Sequence, residues 1–173
     1  MSTGKQVLVV EDDAALSQSL TEQLRLHEDF ECVVANSGKE ALDLAKDSYF
    51  DVILLDVGLP DMDGRDVCKL MRRANVKSPI IMLTGANSDS DTILGLESGA
   101  NDYVTKPFRL NVLLARIRAH IRQHEQSEDA VFVIGPYSFQ PSAKILIETA
   151  TEKKVRLTEK ETSILKFLFR AGD

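Results

Sequence analysis

At 173 residues, with 43% apolar and 28% charged positions and a formal net charge of −6, the chain has a soluble, globular composition and room for one well-buried domain plus a smaller one. The acidic balance argues against a protein that meets nucleic acid with its whole surface, while leaving local patches open. No stretch approaches the roughly 20 apolar residues of a membrane span and the opening residues do not resemble a signal peptide, so a cytoplasmic protein with no membrane partner is expected.

Gln6 to Val10 (QVLVV) reads as a buried strand, and it stops on Glu11, Asp12 and Asp13. Asp13 can cap the helix that follows, whose Leu16, Leu20 and Leu24 form a buried stripe. Phe30 to Ala35 is a second strand, and Ser37 with Glu40 forms a capping box for the next helix. Val52 to Leu55 shows no apolar/polar alternation, the pattern of a strand covered on both faces. It stops on Asp56 and breaks into a Gly/Pro turn. A helix through Val67, Leu70 and Met71 ends near Asn75. Ser78 to Leu83 is a fourth strand, closing on Thr84-Gly85. A polar loop, Asn87 to Asp91, leads into a short helix with Ile93, Leu94 and Leu96. Asn101 to Val104 is a fifth strand that runs into Thr105-Lys106-Pro107-Phe108. The helix after it holds Leu113, Leu114, Ile117 and Ile121, with Arg116, Arg118 and Arg122 on its polar side.

This fivefold alternation predicts an α/β fold, a doubly wound parallel sheet with helices on both faces. Five strands suit the flavodoxin-like order 2-1-3-4-5, an order borrowed from known sheets rather than derived. Its switch point falls between the strands that end on Glu11-Asp12 and on Asp56. The polar stretch at 124–130 reads as a linker. Beyond it, four short strand-like runs between Phe132 and Leu157 predict a small antiparallel meander. A capping box of Thr158 and Glu161 then opens a helix bearing Ile164, Leu165 and Leu168. Cys32 and Cys68 lack CxxC spacing, and His27, His120 and His124 lack metal spacing. Two free buried thiols in a reducing compartment follow.

Three carboxylates in one crevice repel one another unless a cation sits among them. Hard oxygens with room for water and phosphate suit Mg²⁺, which takes one or two protein carboxylates. Thr84 and Lys106 stand at the same carboxyl edge. Taken singly, Asp56 is a turn acid, Thr84 a loop-capping hydroxyl and Lys106 a solvated charge. Taken together with a metal, they would neutralise the oxygens of a phosphoryl group carried by Asp56. Lys106-Pro107 is open to either peptide isomer.

VLVVEDD, VILLDVGLPDMDG, IIMLTG and GANDYVTKPF together resemble the response-regulator receiver domain of two-component signalling, a CheY-like fold, over about residues 5–123, with the receiver domain expected to span 1–123. The resemblance implies Asp56 as phosphoacceptor for a sensor histidine kinase. It makes Asp12 a direct Mg²⁺ ligand, Glu11 a ligand through water and Gly58 a backbone-carbonyl ligand. Thr84 and Tyr103 become a switch pair, and Lys106 the phosphate-binding lysine. Gly58 stands where the family often has a larger side chain, which affects access to Asp56 more than metal binding. Residues 131–173 resemble the amino-terminal part of an OmpR/PhoB-type winged-helix effector, without its recognition helix and wing, so the chain is expected to be a shortened form of a regulator that binds promoter DNA. In this subfamily phosphorylation favours a two-fold homodimer. Glu97 with Arg118 and Asp102 with Arg116 match two of its cross-interface charge pairs, whereas a third falls on Thr92 and Val112. Asn101 replaces a common acid. A dimer with fewer ion pairs and more contact through Ile93 and Val112 is therefore expected.

Two other functions fit less well. A haloacid dehalogenase-type phosphatase needs a second aspartate where Gly58 stands. A flavin carrier needs a phosphate-cradling loop where Glu11-Asp12-Asp13 would repel phosphate. The expected output is binding rather than enzymatic turnover, with catalysis confined to the protein's own phosphorylation and dephosphorylation.

Overall fold

The computed structural model describes residues 4–28, 30–85 and 89–171. The chain divides into two compact units, Met1–Ile121 and Arg122–Asp173.

In the first unit strands and helices alternate: β1 (Gln6–Val10), α1 (Ala14–Glu28), β2 (Glu31–Ala35), α2 (Gly38–Asp47), β3 (Val52–Asp56), α3 (Gly64–Arg73), β4 (Ile80–Thr84), α4 (Asp89–Glu97), β5 (Asp102–Thr105) and α5 (Leu110–Glu125). The strands form one parallel sheet in the order β2-β1-β3-β4-β5. This is the CheY-like, flavodoxin-like order. α5 continues through Glu125, two residues into the stretch read as linker from sequence. Its helical periodicity outlasts the apolar stripe that ends at Ile121.

The unbroken apolar strands follow from burial on both sides. Val7, Val9 and Leu54 face α1 and α5, where Leu24, Leu113 and Ile117 complete one core. Leu8, Val10 and Leu55 point the other way, onto Ala41 of α2 and Val67 and Met71 of α3. Because side chains alternate across a strand, both parities must be apolar when helices cover both faces. The helix starts are set by their caps. Asp13 Oδ1 accepts from Leu16 N at 3.1 Å, and Ser37 Oγ accepts from Glu40 N at 3.2 Å. α3 is followed by Asn75 at φ 63°, a left-handed position that asparagine tolerates.

Arg72 closes the edge of the sheet opposite the carboxyl ends. Its guanidinium donates to the carbonyls of Val76, Ser78 and Gly99 and to Asn101 Oδ1. Asn101 Oδ1 also accepts from Ile80 N at 2.9 Å. Asn101, standing where the resembled family commonly has an acid, thus serves as a neutral joint between α3 and two strands.

The second unit is an antiparallel meander of β6 (Phe132–Ile134), β7 (Tyr137–Gln140), β8 (Ile145–Glu148) and β9 (Lys153–Arg156), followed by α6 (Glu159–Ala171). Thr158 and Glu161 form the reciprocal box at its start, with bonds of 2.9 and 3.2 Å. Phe132, Phe139 and Phe169 cluster with ring centroids 5.0–6.1 Å apart and hold helix to sheet. Ile164, Phe167 and Leu168 form a second apolar stripe on α6 that is exposed.

Candidate functional site

Sheet register gathers the site. Val10 is paired with Leu55, Asp56 with Leu83 and Thr84 with Thr105. Glu11, Asp56, Thr84 and Lys106 therefore emerge in one row at the carboxyl edge. Glu11 N donates to Ala35 O at 3.0 Å and Val57 N to Leu83 O at 3.1 Å, so the backbone beside each acid is tied to its neighbouring strand.

Asp56 is 6% exposed, Glu11 2% and Thr84 4%, while Asp12 is exposed. One carboxylate oxygen from each of Glu11, Asp12 and Asp56 falls within 4.8 Å of the others. This all-oxygen donor set, with one member open to solvent, fits a small hard divalent cation that keeps part of its water shell. Gly58 lies in the turn beyond, its N–H donating to Asp56 Oδ1 at 3.3 Å. Among the described residues, leaving aside its chain neighbours, a Cβ built on Gly58 would meet only Asp56 Oδ2, at 3.9 Å. Among the described residues, nothing beyond Asp56 itself crowds that position.

Lys106 supplies the positive charge. Its Nζ lies 2.8 Å from Glu11 Oε2 and 3.3 Å from Asp56 Oδ1. The peptide bond from Lys106 to Pro107 is cis, and Lys106 N donates to Thr84 O at 2.6 Å. Burial drives the Glu11 carboxyl above the ordinary glutamate range and the Asp56 charge adds to the rise, outweighing the bonds to Lys106 and Asp13. Burial acts to lower the Lys106 ammonium, but its bond to Glu11 and the charges of Asp56 and Glu11 prevail and raise it. The Glu11 rise is thus chiefly an effect of burial, and the Lys106 rise chiefly one of its bond to Glu11.

Tyr103 lies half-buried at the start of β5 and packs against the α2/α3-side core. Its ring occupies the space a Cβ on Gly95 would fill, with Cδ2 at 2.7 Å and Cε2 at 2.8 Å from that position. A glycine in mid-helix costs about 1 kcal/mol relative to alanine; here it makes room for the ring.

The residues read as an interface lie on α4, β5 and α5. Ile93 is 54% and Val112 43% exposed, and Glu97 and Arg118 are exposed. The side chain of Thr92 lies outside the described residues. Asp102 and Arg116 meet within one chain, Arg116 Nη1 lying 2.9 Å from Asp102 Oδ1. His120 Nε2 lies 2.9 Å from Asp102 Oδ2, and Tyr103 N donates to Asp102 Oδ1 at 2.8 Å. Burial pushes the Asp102 carboxyl upward, but His120, the Tyr103 N–H and Arg116 outweigh it and hold the group below the usual aspartate range. From the sequence His120 was weighed only as a metal ligand, although its position four residues after Arg116 on a helix places both on one face.

The receiver-domain model of response regulators matches residues 7–118. The cell cycle response regulator CtrA of Brucella ovis is 40% identical over 162 residues, covering 94% of this chain and 68% of that protein. The receiver domain of Francisella response regulator 1452 superposes with a TM-score of 0.67 at 34% identity, over 69% of this chain and 98% of that one. Response regulator DrrB of Thermotoga maritima, an OmpR/PhoB homologue, superposes with a TM-score of 0.63 at 28% identity, over 99% of this chain and 75% of that one. With its sheet order, its acidic edge and its lysine in place, the chain belongs to the response-regulator receiver family of two-component systems.

Proposed function

We propose that the protein is a phosphorylation-controlled switch, in which Asp56 accepts a phosphoryl group from a sensor histidine kinase in a Mg²⁺-dependent reaction. The observation that carries this reading is the Lys106 ammonium bonded to both Glu11 and Asp56 beside three carboxylates gathered at one edge.

An Asp56 oxygen forms the new P–O bond as the P–N bond of the phosphohistidine breaks, and that electron pair leaves with the imidazole. Glu11, Asp12, Asp56 and the Gly58 carbonyl would hold the metal, whose charge offsets that of the transferring oxygens. Lys106 already touches Asp56 and can follow the added charge, about −1.5 to −2 with three acceptor oxygens. Thr84, one position beyond the row that pairs Asp56 with Leu83, supplies a hydroxyl to the same oxygens. Its movement frees space for Tyr103 and biases the face formed by α4, β5 and α5 toward a homodimer. The exposed Ile93 and Val112 support an apolar contribution there. The catalytic work is limited to phosphorylation and dephosphorylation of Asp56, and the output is binding.

The second unit is read as the amino-terminal part of an OmpR/PhoB-type winged-helix effector, so that the full-length form binds promoter DNA. Alignment with DrrB over nearly the whole chain supports this. So does the uncovered stripe of Ile164, Phe167 and Leu168 on α6, a face that a further helix of such a domain would cover.

Intact mass after incubation with a small phosphodonor tests the central claim. One phosphoryl adduct is expected, acid-stable and base-labile, requiring Mg²⁺ and absent in Asp56→Asn. An adduct of equal yield in that variant would place the chemistry elsewhere.

A further inference from the structure

Asp61 lies outside the acidic cluster, in the turn between β3 and α3, and is exposed. Its Oδ1 accepts from Gly38 N at 2.8 Å and its Oδ2 from Lys39 N at 3.0 Å. These N–H groups open α2, where no intrahelical carbonyl can reach them. The N-cap Ser37 takes the Glu40 N–H instead. Beside Asp61, Met62 fills the space above Gly38: a Cβ there would lie 2.5 Å from Met62 Cγ and 2.8 Å from its Sδ. Two consecutive residues of the turn, one charged and one apolar, are thus docked on the start of α2.

The same turn carries Gly58. Its base is closed by Gly64 N donating to Val57 O at 2.9 Å and by the bridge between Gly58 and Asp63. Its tip is held by Asp61 and Met62. A backbone carbonyl binds a metal well only if it need not be ordered at the moment of binding, since ordering a loop subtracts from affinity.

We propose that Asp61 is a positioning residue for the cation site: by bonding the first two N–H groups of α2 it fixes the turn that presents the Gly58 carbonyl, and so sets the affinity for a divalent cation. This rests on the reading of Glu11, Asp12 and Asp56 as that site. Loss of a residue that orients metal ligands from behind typically weakens binding by about tenfold or more.

Calorimetric titration of the full chain with Mg²⁺ alone tests it, using wild type, Asp61→Ala, Asp61→Asn and Ser37→Ala. The last removes a cap from the same helix without touching the turn. Asp61→Ala is expected to raise the Mg²⁺ dissociation constant about tenfold. Asp61→Asn, which keeps one acceptor, should fall between it and wild type, and Ser37→Ala should bind as wild type does. Equal weakening in Asp61→Ala and Asp61→Asn would mark a simple loss of charge and overturn the proposal. So would unchanged binding in Asp61→Ala, or equal weakening in Ser37→Ala, each leaving the cation site itself intact. Absence of Mg²⁺ binding by wild type would overturn both the proposal and the site reading beneath it.

Discussion

Lys106 shows how one residue depends on two others far away in the chain. Its ammonium is the partner of both Glu11 and Asp56, and in its absence two buried carboxylates face each other across adjacent strands. Lys106→Met is therefore expected to destabilise the metal-free protein by about 1–2 kcal/mol, hydrogen bonds to charged groups being stronger than neutral ones and solvent at a side chain 24% exposed screening part of the effect. Added Mg²⁺ should then raise the melting temperature of the variant more than that of wild type, because the ion replaces the missing cation. An equal increment in both would mean that Lys106 does not share the carboxylates with the ion. The acids were legible in sequence because each directly follows an apolar run. The pairing of Lys106 with Glu11 was not, since spacing along the chain says nothing of where a long flexible side chain ends.

Among the elements, α3 is placed by the absence of a side chain. Gly64 is its first residue, and a Cβ there would lie 2.1 Å from the carbonyl oxygen of Asp56 and 2.8 Å from Val57 Cα. Backbone rather than flexible side chain blocks the space, so the strand or the helix must move. Gly64→Ala should destabilise by about 1–3 kcal/mol, the usual cost of forcing atoms into a packed region, and should slow the proposed phosphoryl acceptance because the displaced backbone belongs to Asp56. Denaturant unfolding and the rate of adduct formation would report the two effects. A variant as stable and as fast as wild type would show that the close approach is relaxed in solution. The sequence announced a turn at this glycine through its Pro and Asp neighbours. It could not announce the contact, and Gly95 is similar: along the chain it only weakens a helix, and the ring of Tyr103 supplies its reason. Strand and helix order were readable from periodicity, while strand ends moved by one or two residues, as at β4, which runs Ile80–Thr84 rather than from Ser78, and at β5, which runs Asp102–Thr105.

At the scale of the whole molecule, the two units differ in how fully sequence could describe them. The first buries apolar residues on both faces of its sheet, so its pattern is dense and its fold legible. The second has short strands and an aromatic cluster contributed by distant segments, and its helix carries apolar residues on more sides than its own sheet covers. The interface residues were legible as types, but their present partners were not. Asp102 is already bonded to Arg116, His120 and the Tyr103 N–H of its own chain. If the proposed dimer takes Arg116 from the partner, a bond across the two-fold axis forms only as one within the chain breaks. For this pair the number of ion pairs is then conserved, and its formation is an exchange reaction, whereas a Glu97–Arg118 pair across the axis would be counted separately. Exchange is nearly blind to screening, so in a Glu97→Gln variant, which lacks the second pair, the dimer dissociation constant of the phosphorylated protein should change by less than about threefold between 0.1 and 0.5 M salt, although the Debye length falls well below 10 Å over that interval. A steep weakening by sedimentation analysis would show instead that new pairs are created. In the exchange case Asp102 contributes alignment of the two copies and almost nothing to how tightly they hold.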